Sequence, residues 1–597
     1  MINTESIHSF HIPVMGLSYT IDSPVKVARF GINSVISIVE DRLIEMMRRH
    51  YYKVSALEFK AIPVSEPDYR AKRITDYLNL VNRLVKQQFE ALKNSAFEAG
   101  SEIIRYFEML PDSSPVKLLY SKMRETSSQV EQFRLQDQLR ALMVAGSIDV
   151  NIMTKTDKNN YHGNGELIED GSDAVSALRG YINSELTNSS IIFSAGMNPR
   201  LYNYLEKTDV FHADKHGNFN KKVVIKVSDY RSALIQGKYL AKKGIWVSEF
   251  RIESGLNCGG HAFATQGFLL GPILQEFVDK RNELIETMFS IYQPTLQQKE
   301  IEAPAVPPEV LFSVQGGIGT ASENQLLLNH FGMHSTGWGT PFLLIPEATT
   351  VDAHTLDLLC KSTEKDIYLS KNSPLGVRFH YLKGTTADLE KQDRINKRRP
   401  GSPCTEKHLS FNTEFTEMPI CTASYRYQKL KIQQLKDMNL PENEYNKQYQ
   451  DVVDKECLCV GLSNSATLLY EEEFIPTLKS VNVCPGPNIV NFSRIATLKE
   501  MTDHIYGRVD LMTNPSRSHM FVAELKLYVD YLEEEMQQTP AADGKTIRGW
   551  KTFCGNLLSG IAYYRNFSAN QIENFKHYLE QLSFFENRIK ELMANLE

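Results

Sequence analysis

Two glycine clusters carry the most specific chemistry in this sequence. They are Val314-Gln315-Gly316-Gly317-Ile318-Gly319-Thr320 and Gly337-Trp338-Gly339-Thr340, with a helix-like stretch at 322–330 between them. Glycine admits positive φ and lets backbone N–H groups approach an anion, and a following helix N-terminus adds a favourable dipole. Gly316, Gly317, Gly337, Gly339 and Thr340 therefore read as a phosphate clamp; the alternative is ordinary turn glycines. A second stretch runs Glu253-Ser254-Gly255-Leu256-Asn257-Cys258-Gly259-Gly260-His261. Gly259 and Gly260 leave room for a flat molecule against backbone, and His261 can exchange a proton near neutral pH. A loop histidine satisfied by its neighbours is the competing reading. In a third stretch, Ile12-Pro13-Val14-Met15-Gly16-Leu17, the main chain of Met15 and Gly16 offers a floor for a planar ring, or is simply a buried strand end.

Cysteine usage is uneven. Five of the eight cysteines, Cys404, Cys421, Cys457, Cys459 and Cys484, fall in one part of the chain. Soft sulfur donors in such a cluster suit Zn²⁺ or an iron–sulfur cluster. The spacing matches neither common ferredoxin patterns nor a paired C-x-x-C ribbon, and buried thiols behaving as small apolar residues are the alternative.

The elements that must position these residues follow from periodicity. Short apolar, β-branched runs at about 12–16, 34–38, 148–154, 191–194, 223–227, 245–252, 311–315 and 334–338 alternate with helical patterns. Eight such strands predict an α/β fold, a parallel (β/α)8 barrel whose chemistry lies at the C-terminal ends of the strands. The clamp then falls after strands seven and eight, and His261 after strand six. A helical insertion at about 50–146 interrupts the series, with amphipathic spacing at 69–93 and 115–145. It is read either as widening the rim and helping to cover the mouth or form a subunit contact, or as a solvated decoration. The organisation expected is a barrel over 1–384, a cysteine-bearing irregular module over 385–493 and a helical region over 494–597, with helices at 520–536, 546–567 and 569–596. The basic run 391–400 reads as a solvated loop or a contact for an anionic acyl carrier or RNA.

Composition bounds the classes. The chain has 597 residues, 42% hydrophobic and 23% charged, which excludes wholesale disorder or a rod. A net charge of −6 gives no global basic surface for nucleic acid. There is no membrane-length apolar run and no signal-peptide pattern at the start, so the expected location is cytoplasmic.

Taken together, the three stretches resemble the nitronate monooxygenase (2-nitropropane dioxygenase-like) family of FMN-dependent (β/α)8 barrels, which includes flavin-type enoyl reductases. The resemblance covers 12–38 and roughly 223–347. Pro13-Val14-Met15-Gly16 resembles a shortened form of the family's P-x-x-x-x-M-x-G. Asn257-Cys258-Gly259-Gly260-His261 resembles its E-A-G-G-H. Gly316-Gly317-Ile318, and Gly339-Thr340-Pro341-Phe342-Leu343 with Pro346-Glu347-Ala348, resemble its A-G-G-I and G-T-R-F-L-x-x-x-E blocks. The resemblance implies FMN, with its phosphate near Gly316, Gly317, Gly337 and Thr340 and its ring on Met15 and Gly16. It implies His261 as the residue that removes the substrate's α-proton or protonates the product. Asn151 and Lys155 end the third strand, where Lys155 could stabilise charge on a reduced ring, or be a surface lysine. An iron–sulfur centre beside FMN would give an electron path. The expected partners are a small-molecule or acyl thioester substrate and NAD(P)H or a redox protein as electron donor. A non-catalytic flavin- or metal-binding interaction protein is the rival. Three departures stand out: only Gly31 where the family has a double glycine, Asn257 and Cys258 before the glycine pair, and Pro341 for a basic residue.

Overall fold

The computed structural model describes residues 7–153, 157–214, 217–259, 266–402, 406–473 and 478–596. Eight parallel strands close into a barrel in chain order: β1 (Phe10–Ile12), β2 (Asn33–Ser37), β3 (Ile148–Ile152), β4 (Ser189–Phe193), β5 (Lys221–Val227), β6 (Val247–Glu253), β7 (Leu311–Gln315) and β8 (Ser335–Gly337). Closure is made by β1 against β8, where Phe10 pairs with Thr336 and His11 with Gly337. β1 is shorter than its apolar run predicts and ends before Pro13, which has no N–H for a ladder bond.

Alternation along each strand sends apolar side chains outward to the helices and a mixed set inward. On β6, Phe250 and Ile252 join the large apolar core, whereas Glu249 and Arg251 pair at 2.9 Å inside the lower barrel. Val35, Ile192 and Val224 form a small separate apolar cluster against Val14.

Between β2 and β3 lie helices Asp41–Val54, Tyr69–Lys93, Glu102–Met109, Pro115–Glu125 and Gln129–Leu142. The stretch expected as one pattern over 115–145 is broken at Thr126–Ser128, because Ser128 caps the second helix by accepting from the amide of Glu131. Helix Tyr69–Lys93 packs on Asp41–Val54 and on Asp173–Ile182, so the insertion lies against the barrel's outer helical wall.

Beyond the barrel, β9 (Ile367–Ser370) and β10 (Phe379–Leu382) form an antiparallel ribbon. The segment expected to be irregular carries helices Thr386–Asn396, Tyr425–Asp437, Glu442–Val453, Leu458–Gly461 and Asn464–Tyr470 joined by irregular stretches. Its helices are short and polar, and the longer two bury few residues, so apolar periodicity was faint. The C-terminal helices are Met520–Gln538, Gly544–Tyr564 and Phe575–Ala594, close to expectation; Phe521 and Tyr564 stack between the first two at 4.8 Å. One apolar core runs from the barrel through the 385–493 segment into these helices.

Candidate active site at the barrel mouth

The C-terminal ends of the strands converge on a cavity of about 130 Å³. Its floor is set by Val14 and Gly16 after β1, Ser37 on β2, Asn151 on β3, Lys226 on β5 and Glu253 on β6. Its cover comes from the other half of the chain: Leu375, Phe379, His408, Leu409, Leu458 and Leu462. The floor is polar and the cover mostly apolar, as a site for a flat heteroaromatic ring requires.

Four inward side chains, Lys226, Glu253, Gln315 and Asn151, organise the floor. Lys226 Nζ lies 3.1 Å from Glu253 Oε1, and Gln315 Nε2 donates to that same oxygen at 2.8 Å. Asn151 is 5% exposed and its Nδ2 reaches Ser194 Oγ at 3.5 Å, while its Oδ1 has no partner among the described residues. A buried acceptor without a donor is costly unless a ligand or water satisfies it. Gly16 lines the mouth cavity, and Met15 beside it is fully buried, with its amide donating to Thr20 Oγ1 at 3.3 Å. Gly259 lies on top of them, and a Cβ there would fall 2.6 Å from Gly16 N. Gly260, His261 and Lys155 lie outside the described residues.

The glycine loops are brought together, and the chain's own atoms fill the space between them. An added Cβ would meet Asn257 Oδ1 at 2.7 Å from Gly316, Leu256 Cδ1 at 2.5 Å from Gly317 and Cys258 Cβ at 3.1 Å from Gly339. Gly486 brings the 484–488 segment within 2.8 Å of Thr340 Oγ1 by the same measure. Asn488 Nδ2 donates to the carbonyl of Ile318 at 3.0 Å. Gly337 faces the barrel interior, hemmed in by Gln315 and His11, and is a packing glycine there.

The helix N-terminus after Gly319 is also engaged. Thr320 and Glu323 form a capping box, and Glu323 Oε2 accepts from the amide of Gly319 at 2.8 Å. Glu323 Oε1 accepts from the amide of Met520 at 2.6 Å and pairs with Arg517 at 2.7 Å. Burial pushes this carboxyl's pKa upward, but Arg517, with His519 and the Gly319 amide, together hold the group below its ordinary value. An internal carboxylate therefore satisfies the anion site at this helix start. The polar floor of the mouth offers hydrogen-bond partners of the kind a flavin ring takes, while Leu256, Asn257 and Cys258 pack closely against the glycine loops.

Among the described residues, the cysteine sulfurs do not gather three together within 4.8 Å. Among the described residues, the one group of three or more His, Cys, Asp or Glu donor atoms lying within 4.8 Å of one another is Glu40, Glu406 and His408. Cys421 sits in the turn before helix Tyr425–Asp437, and Cys457 and Cys459 at the start of Leu458–Gly461. Cys459 lines the mouth, Cys457 lines a different cavity, and Cys484 packs on the β6 loop. Cys404 lies outside the described residues. Burial raises the Cys258 thiol pKa well above its ordinary value, which suits a packing role.

Sequence reasoning gave no role to Lys226, Glu323, Arg517 or Asn488, and quoted Glu253 without assigning it one. Lys226 and Glu253 were legible as inward positions at strand ends, and the Thr320-x-x-Glu323 spacing is a capping-box signature. Arg517 and Asn488 carry no local signal, since both act across the fold.

No family model and no curated protein matches the chain. Among solved structures, the enoyl reductase domain of MlnA from the macrolactin biosynthesis cluster of Bacillus amyloliquefaciens is 14% identical. It covers 70% of this chain and 89% of its own, with a TM-score of 0.33. A nitroalkane oxidase from Streptomyces ansochromogenes is 8% identical, covering 84% of this chain and 94% of its own, with a TM-score of 0.32. An IMP dehydrogenase/GMP reductase-like protein from Corynebacterium glutamicum is 11% identical, covering 57% and 65%, with a TM-score of 0.23. Superpositions at these scores add nothing to the (β/α)8 barrel defined by the strand pairing.

Proposed function

We propose that this protein is an oxidoreductase that holds a flavin ring at the mouth of its barrel. The observation that carries the reading is the unpartnered, buried Oδ1 of Asn151 on the floor of the mouth cavity. It is an acceptor suited to the imide N–H of a flavin pyrimidine ring. Bound flavin supplies hydride and single-electron chemistry. The chain's own residues do the rest. Asn151 orients the ring edge, Lys226 and Glu253 fix the charge of the floor, and the apolar cover excludes water. His261 follows Gly259 and Gly260 directly and is assigned the substrate's proton, with Lys155 as a charge partner for the ring. The cavity is smaller than the ~300 Å³ at which small-molecule sites begin, so entry of a ring requires the cover around Leu375, Phe379 and Leu409 to shift.

Because the glycine loops are packed by Leu256, Asn257 and the 484–488 segment, the ring and not an FMN phosphate is taken as the anchor. The substrate is an acyl thioester or an alkyl nitronate, and the donor NAD(P)H or a redox protein. The test compares purified wild type with His261→Ala. Both should carry flavin colour, and only the wild type should turn over a conjugated thioester or a nitronate. Colour in neither would reject the proposal.

A further inference from the structure

We infer that Glu40, Glu406 and His408 form a binding site for a divalent transition-metal ion of the zinc class, on the catalytic face of the barrel. The inference goes beyond the flavin reading and needs no flavin. Glu40 follows β2 and caps helix Asp41–Val54, its Oε1 accepting from the amide of Arg42 at 3.1 Å. Glu406 and His408 arrive from the distant 385–493 segment. One imidazole nitrogen and two carboxylate oxygens thus meet from two parts of the chain, within 4.8 Å of one another.

The three side chains are sheltered, at 1% exposure for Glu40, 8% for Glu406 and 11% for His408. Sheltered carboxylates need positive charge, and the nearby arginines are mostly committed elsewhere. Arg73 pairs with Asp41 at 2.5 Å, and Arg70 donates to the carbonyl of Asp173 at 3.0 Å and to that of Val39. Arg42 meets Glu406 at 3.3 Å, and its side chain is 52% exposed, so it can swing into solvent when an ion enters. Asp41, beside Glu40, is 7% exposed and its Oδ1 has no partner, a further buried acceptor that a cation would offset.

The geometry is one step from coordination. Nε2 of His408 and Oε2 of Glu40 face each other at 2.5 Å in a hydrogen bond. Two tetrahedral zinc bonds of about 2.0–2.1 Å set their donor atoms roughly 3.3 Å apart, so this pair opens by under about 1 Å to admit an ion while Glu406 closes in from within 4.8 Å. A nitrogen donor with two carboxylates suits zinc, manganese or ferrous iron over magnesium or calcium. Three protein ligands leave a fourth position open, and His408 also lines the mouth cavity, so a bound ion would border the reaction space.

The experiment uses the full chain, treated with chelator and then titrated with Zn²⁺ alone by calorimetry. It is repeated on His408→Ala and Glu406→Gln, with far-ultraviolet circular dichroism confirming that each variant is folded. The expected result is one equivalent of Zn²⁺ in the wild type and an affinity at least ~100-fold weaker in both variants, given that losing even outer partners of metal ligands costs ten- to a hundred-fold. Co²⁺ loading adds a second readout, and only nitrogen and oxygen donors should appear. No uptake by the wild type, unchanged affinity in folded variants, or thiolate charge-transfer absorption with Co²⁺ would each overturn the assignment. If Glu406→Gln fails to fold, His408→Gln replaces it under the same criteria. Flavin colour plays no part in this readout, so its failure and that of the flavin reading are separable.

Discussion

The backbone amide of Gly259 donates to the carbonyl oxygen of Cys484 at 2.9 Å. The thiol of Cys258 reaches the same oxygen at 3.3 Å. The loop that leads from β6 into His261 is therefore anchored by a segment far along the chain, and that segment also lies against Thr340 and Ile318. Gly259 takes φ 73°, and a Cβ there would lie 2.6 Å from Gly16 N. Gly259→Ala should lose at least about 1–2 kcal/mol of stability from backbone strain alone, and more from the contact. Urea unfolding followed by circular dichroism checks this; an unchanged midpoint would show that the loop is not held in this way.

Arg517 and Glu323 form a buried pair whose side chains are 7% and 1% exposed. Removing one partner strands the other charge, so Arg517→Met should lose about 3–5 kcal/mol. Adding Glu323→Gln should restore part of that loss. A double-mutant cycle in urea checks it, and strict additivity would contradict the coupling.

The lower barrel supplies an acid-sensitive element. Burial pushes the Glu249 carboxyl upward, but Arg251 more than offsets this and brings its pKa from 4.5 down to about 2. A depressed carboxyl stabilises the fold above its unfolded pKa, and that contribution fades as pH falls from 4.5 towards 2. Glu249→Gln should therefore flatten the decline of stability across this window while lowering stability at neutral pH. Urea midpoints measured against pH report both effects.

Much of this architecture could be read in advance. All eight barrel strands stand within a few residues of their apolar runs, because strands covered by helices must be apolar on their outer faces. The three C-terminal helices were equally legible from their amphipathic spacing. The fine structure of the site was not. Glycines that suit a phosphate also suit close packing, and only the fold shows that Leu256 and Asn257 occupy the space beside Gly317 and Gly316. For the cysteines clustered in sequence, among the described residues no three sulfurs lie within 4.8 Å of one another. Glu406 and His408 gain meaning only when a distant segment sets them beside Glu40.

Asn151→Leu removes the unpartnered acceptor while keeping the volume of the side chain. Flavin affinity should fall roughly tenfold, the worth of one buried hydrogen bond. Lumiflavin, which has the ring without a phosphate, should lose affinity to the same extent as FMN. A fluorescence-quenching titration with both compounds checks this; a loss confined to FMN would mean that the tail and not the ring is recognised.

The most direct test is titration of the flavin-stripped full chain with FMN, followed by the visible absorption of the flavin. The account expects saturable binding of one flavin per chain, with a shifted spectrum that reports a ring moved out of water. An unshifted spectrum at every ratio, from protein shown to be folded, would contradict it.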